Sequence, residues 1–141
     1  MSQAAPIAGV SPENSSRRAS SVIVVGYSAA PEGRAALSRA ITEARIRNSE
    51  LLVVHSADEE LAGLRAELAG TDVPHRIHGA DQTLEPAEAL INAAESSGAE
   101  FIVIGLRRRS PVGKRLLGSN AQRVLLDASC PVLAVKADLS S

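Results

Sequence analysis

The sequence predicts an α/β protein built on a five-stranded, parallel, doubly wound sheet with helices on both faces. Three observations carry that prediction. Short apolar runs and amphipathic stretches alternate as β-α-β-α-β-α-β-α-β, and crossovers of that kind make neighbouring strands parallel. The strand runs are continuous rather than alternating, as in Ser21 to Val25 and Phe101 to Ile104, which marks strands buried on both faces. Within an apolar fraction of 45% there is one Phe, one Tyr and no Trp. The core must therefore be Val, Leu, Ile and Ala, which suits Ala-rich helices lying on a buried sheet.

The chain in order bears this out element by element. Residues 1–20 are polar, rich in Ser, Ala and Pro and without period, as in a disordered tail. They carry Arg17-Arg18-Ala19-Ser20, a short basophilic kinase-type motif of low specificity. Residues 21–137 form the expected domain, and 138–141 a short C-terminal tail. The first strand ends at Gly26. Ser28 is the expected cap of the first helix, with Pro31 in its first turn. Ala36, Leu37, Ala40, Ile41 and Ala44 then recur at helical spacing to about Arg47. Leu51 to His55 is the second strand. Asp58-Glu59-Glu60 opens the second helix, where acids complement the dipole, and Leu61, Leu64 and Leu68 form its stripe.

Pro74 to His78 is a polar edge strand. Glu85 to Ser97 is the third helix, with Ala87, Leu90, Ile91 and Ala94 on one face and Gly98 as its stop. Phe101 to Ile104 is the fourth and most apolar strand. Asn120 to Ala128 is the fourth helix, with Ala121, Val124, Leu125 and Ala128 inward. Pro131 to Val135 is the fifth strand. Strand order 3-2-1-4-5 is the simplest that covers both faces. The order then reverses between strands one and four, and ligands of such sheets sit at the reversal, beyond the carboxyl ends. Those ends are Gly26-Tyr27-Ser28 and Gly105.

A chain of 141 residues is one domain and long enough for one core. The lone Cys130 can form no internal disulfide, which fits a reducing compartment. No apolar run approaches the roughly 20 residues of a membrane span, and no basic segment precedes an apolar one at the N-terminus. The cytoplasm is the expected location, with no membrane partner. Net charge is −1, so nothing global draws the chain to nucleic acid. His55, His75 and His78 lack metal-ligand spacing, and no metal site is expected.

Against that balance one region stands out. Between Phe101 and Leu126 there is no Asp or Glu, while Arg107, Arg108, Arg109, Lys114, Arg115 and Arg123 fall inside it. The basic loop leaves the fourth strand at Gly105, a residue that lets backbone approach a ligand. It returns through Gly118-Ser119-Asn120 to a helix N-terminus, whose free N–H groups attract anions. Ser119-x-x-Gln122 is also a capping box, which would satisfy those donors internally. A Walker A loop is excluded, because Arg108 and Arg115 stand where that motif needs Gly and Ser or Thr. A dinucleotide Gly-x-Gly-x-x-Gly and a hydrolase elbow are absent. Single-stranded nucleic acid is disfavoured as a partner, since its binding surfaces add aromatic platforms. Tyr27, beside the crevice, is a candidate to cover a base. No acid or His is placed by motif near the loop as a general base, so an enzyme is not expected.

Gly105, Gly118 and Ser119 at their spacing, with the ending Ala128-Ser129-Cys130-Pro131-Val132-Leu133-Ala134-Val135, resemble the universal stress protein family across about Ser21 to Ala137. The resemblance implies an adenine-nucleotide-binding regulator of stress responses, holding ATP or AMP with Mg²⁺ as a candidate companion. It implies that backbone near Gly105 lies by the ribose and that Arg108, Arg109, Gly118, Ser119 and Asn120 hold phosphates. It places the end of the second strand, near Ser56, by the adenine. Two positions depart from the family pattern: Gly26 stands for an Asp that meets the ribose, and Arg108 for the second Gly of the loop. Losing a charged hydrogen bond costs about 1.5–3 kcal/mol. Arg108 strains a left-handed backbone by about 1–2 kcal/mol, or else offers phosphate a charged bond. The alternative function is a dimeric interaction module of the same fold without nucleotide.

The fifth strand should be an apolar sheet edge, a hazard unless covered. The resemblance implies a homodimer through it. Antiparallel pairing about a twofold axis would bury Val132, Leu133 and Val135 against their copies.

Overall fold

The computed structural model describes residues 21–58, 61–107 and 117–137. Five parallel strands form one sheet: β1 (Val22–Gly26), β2 (Glu50–His55), β3 (His75–Gly79), β4 (Phe101–Leu106) and β5 (Val132–Lys136). Their order is β3-β2-β1-β4-β5, as the alternation predicts. Helices α1 (Pro31–Arg47), α2 (Leu61–Ala69), α3 (Pro86–Ser97) and α4 (Ser119–Asp127) connect them. β1 is central, pairing Ile23 with Leu51 on one side and Phe101 on the other.

The strands' period of two sends alternate residues to two cores. Ile23, Val25, Leu51, Val53 and Val103 meet α1 and α2 through Ala36, Leu37, Ala40, Leu64 and Leu68. Val24, Leu52, Val54, Ile102 and Ile104 meet α3 and α4 through Ala87, Leu90, Ala94 and Val124. Strands β1, β2 and β4 are buried on both faces, which is why their sequences are unbroken apolar runs. β3 is largely exposed, as its polar sequence requires.

Several local expectations are revised. Ser28 does not cap α1: Ala30 is the cap, in extended conformation with no side-chain bond, and Pro31 begins the helix. Proline's fixed φ suits the first helical position and sets the start there. α1 ends on Asn48 in the left-handed region, whose N–H bonds the Ala44 and Arg45 carbonyls. Glu85 is the cap of α3 rather than its first residue, and it forms a capping box with Glu88. α4 begins at Ser119, one residue earlier than its pattern implies. Leu125 points out rather than in: it is 39% exposed, while Val124 carries the inward face. Glu59, Glu60, the loop arginines Arg108 and Arg109, and both tails lie outside the described residues.

β5 is the apolar edge strand of the sheet, and Val132 to Val135 are half-buried in the monomer. Leu133 and Val135 pack against the α1 core, and Val132 and Ala134 against the α3–α4 core. Both of its faces thus partly serve the monomer, and its outer edge pairs with no strand among the described residues.

Candidate functional site

A cavity of about 560 Å³ opens at the carboxyl ends of β1 and β4, where the strand order reverses. Gly26, Tyr27 and Ser28 line it from the end of β1, Ser56 from β2, Gly105 from β4, and Gly118, Ser119 and Asn120 from the start of α4. The structure therefore brings together every nucleotide-site candidate that it describes. Arg108 and Arg109 lie outside the described residues.

Three helices begin at this cavity. α1 contributes Glu32 and Gly33, α3 contributes Pro86 and Ala87, and α4 contributes Ser119 and Asn120. Each N-terminus carries unpaired N–H groups and a partial positive charge. The three are not equivalent. α3 satisfies itself: Glu85 and Glu88 close the capping box, and the Ala87 N–H donates to Asn120 Oδ1 at 3.2 Å. α1 holds an acid, Glu32, in its first turn. α4 has Gly118 as its cap, no side-chain cap bond and no acid in its first turn. The expected Ser119–Gln122 box does not form, because Ser119 is already inside the helix. Gln122 Nε2 donates instead to the Leu117 carbonyl at 3.0 Å. Among the described residues no side chain accepts from the first N–H groups of α4.

The surrounding side chains are mostly tied to one another. Arg123 is paired with Glu88 at 3.0 Å and with Asp127 at 3.6 Å. It clasps α3 to α4 rather than adding to the field of the loop. Arg107 lies 3.6 Å from Glu32 across the mouth and is largely exposed. Asn120 spends its carbonyl oxygen on Ala87, so its first role is to join two helix starts.

The glycines have packing explanations of their own. A β-carbon on Gly105 would strike the Glu32 carbonyl in the first turn of α1, and one on Gly33 would strike Ser28. Gly105 is therefore required by the approach of α1 to β4, whatever its part in binding. A β-carbon on Gly26 would meet Leu90 Cδ1 of α3 at 3.0 Å. The floor beside Gly26 is hydrocarbon.

Tyr27 is buried in the α1–α2 core. Its hydroxyl lies 3.8 Å from the β-carbon position of Gly63 in α2, so the ring is a packing member as well as a wall. The Ser56 carbonyl accepts a bond from Gln82 Nε2 at 2.7 Å. That strap ties the segment after β3 to the cavity rim. The segment is itself braced by Asp81, which accepts from the Thr83 N–H and hydroxyl. Those two bonds, the backbone one foremost, lower the Asp81 carboxyl below its ordinary range.

Glu32, His55 and Leu90 were not legible as cavity residues, since none lies in a motif. His55 alone had a signal: a polar residue ending an apolar strand at the carboxyl edge. Among the described residues no group of three His, Cys, Asp or Glu could hold a metal ion. No helix among them is long and apolar enough to cross a membrane.

This architecture can be set beside known proteins. The model of the universal stress protein family matches residues 78–136. A universal stress protein of Mycolicibacterium smegmatis is 45% identical over 130 residues, 82% of this chain and 97% of that protein. The solved universal stress protein of Archaeoglobus fulgidus has 28% identity and a TM-score of 0.65, over 83% of this chain and 98% of that one. Another, a universal stress protein in complex with cAMP, has 26% identity and a TM-score of 0.60, over 84% of this chain and 98% of that one. On its fold and on that identity across nearly a whole relative, the chain belongs to the universal stress protein family.

Proposed function

We propose that the chain binds an adenine nucleotide, ATP or AMP, in this cavity and acts as a regulator in the stress response rather than as an enzyme. The observation that carries the reading is the bare N-terminus of α4. It faces the cavity with a glycine cap, no side-chain cap bond among the described residues and no acid in its first turn, while the neighbouring α3 start is closed by its own capping box. Phosphate is the anion such donors accommodate. The relative solved with cAMP supports an adenine ligand for a site of this architecture. Gly118, Ser119 and the α4 backbone would take phosphate, with Arg108 and Arg109 as further candidates from the loop. The rim at Ser56 and His55 would take the base, and the region of Gly26, Ser28 and Gly105 the sugar.

Mg²⁺ would arrive on the nucleotide's phosphates. Glu32 is the one carboxylate at the cavity among the described residues, too few ligands for a resident ion. Hydrolysis needs a positioned nucleophile besides charge stabilisation. Glu32 faces Arg107 and has no motif that would aim it at a water, so turnover should be slow or nil. A cytoplasmic location and a homodimer paired through β5 complete the reading.

Calorimetric titration of the full chain with ATP and with AMP at low salt tests it. Binding of either at micromolar to sub-millimolar concentration is expected. No heat at millimolar nucleotide would overturn the proposal in favour of an interaction module without ligand.

A further inference from the structure

The start of α1 brings a negative charge to the cavity. Glu32 stands in the first turn of that helix and lines the cavity. Its backbone is pinned, because the Glu32 carbonyl sits against Gly105 of β4. The side chain is 24% exposed and lies 3.6 Å from Arg107 Nε, whose own side chain is 82% exposed. At that distance the contact is an ion pair rather than a hydrogen bond. An arginine so exposed is largely solvated and offsets little of the carboxylate's field. The other acids nearby are committed elsewhere. Glu85 and Glu88 close the capping box of α3, Glu88 also pairs with Arg123, and neither lines the cavity. The loop 107–118 contains no Asp or Glu. The cavity holds about 560 Å³. A round space of that volume is about 10 Å across, no wider than the Debye length at about 0.1 M salt. A phosphate admitted anywhere in it therefore feels the charge of Glu32, whichever way the carboxylate is turned.

We infer that Glu32 is a charge-selectivity residue of the cavity, disfavouring a nucleoside triphosphate relative to a monophosphate. This rests on the nucleotide reading and narrows it. Repulsion from one carboxylate adds with each charge the ligand carries. ATP brings two ionised phosphoryl groups that AMP lacks, so the same residue acts more strongly against it. The start of α4 and the loop arginines draw phosphate in, and their balance with Glu32 sets the absolute affinities. Glu32 itself is read in the ratio of the two. The selectivity is one of charge and not of cavity size, since replacing the carboxylate by an amide keeps the shape of the side chain.

The test is calorimetric titration of the full chain with AMP and with ATP, free of divalent metal and at low salt. Glu32→Gln should raise the affinity for ATP about three- to tenfold more than that for AMP. Glu32→Asp keeps the charge and should leave the ratio near that of the wild type, which separates charge from packing. Glu43→Gln is the control for net charge. Glu43 pairs with Arg39 and Arg47 and lies about 16 Å further along α1, so its loss should leave the ratio unchanged. The shift in Glu32→Gln should shrink at about 0.5 M salt, where the Debye length is about 4 Å. A ratio that Glu32→Gln leaves within about twofold of the wild type, or that Glu43→Gln moves as far, would overturn this inference while leaving nucleotide binding intact. Failure of both nucleotides to bind would overturn the nucleotide reading and this inference together.

Discussion

A β-carbon at Gly105 would collide with the Glu32 carbonyl of the α1 turn that passes over it. Neither partner is a flexible side-chain end, so the helix itself must shift. Gly105→Ala should therefore cost about 2–3 kcal/mol, the upper range for overpacking. Thermal denaturation would show this as a fall of roughly 10 °C in Tm. Reading Gly105 from sequence as a ligand-approach glycine identified the right place for an incomplete reason, because the approach of α1 belongs to tertiary packing. A second residue prediction concerns acid. Hydrogen bonds from Arg47 and then Arg39 lower the Glu43 carboxyl below its ordinary value of 4.5. A carboxyl lowered in the folded state stabilises above its unfolded value, and that contribution fades as pH falls through the folded one. Stability should thus decline on acidification below about pH 4.5, and Glu43→Gln should flatten that decline. Melting curves between pH 3 and 6 check it; a variant with an unchanged slope would contradict the assignment.

At the scale of elements, α3 and α4 begin side by side, and Asn120 joins them by accepting the Ala87 N–H. Asn120→Ala removes a cap in effect, though it lies on another helix, and should cost about 1 kcal/mol in chemical denaturation. No loss would mean that the bond contributes nothing in solution. The elements themselves were legible because their evidence is local. Unbroken runs such as Ile23 to Val25 mark strands, and Ala36, Leu37, Ala40 and Ala44 mark one helix face. Their ends were less so. Ser28, Ala29 and Ala30 all precede Pro31, and only proline's fixed φ selects Ala30 as the cap. Ser119 has the sequence of a capping box, yet starting one residue earlier puts it inside the helix. Leu125 fits the stripe of α4, but only Val124 of that helix is fully inward. A helix of nine residues touching one side of a sheet has room for little more.

For the whole molecule, the reversal of strand order at β1 and β4 decides where a cavity can form, and both the order and the place follow from the alternation of elements. The ligand chemistry was harder to read. Arg123 counted toward the basic loop until its pairing with Glu88 and Asp127 removed it. Assembly is the open element: β5 offers its outer edge, so sedimentation at micromolar protein should show a homodimer, and a monomer would exclude pairing there. Aspartates at Leu133 and Val135 would report on folding instead, since both side chains belong partly to the α1 core. Phosphate at the start of α4 is what Ser119→Asp examines. An acid in the first turn favours the helix dipole, so the variant should keep or slightly raise its Tm. The same charge opposes an incoming phosphate. Titration with AMP should show affinity lower by at least about tenfold against a wild-type protein that binds. Equal affinity in the two proteins, with both folded, would mean that phosphate does not sit at the α4 start.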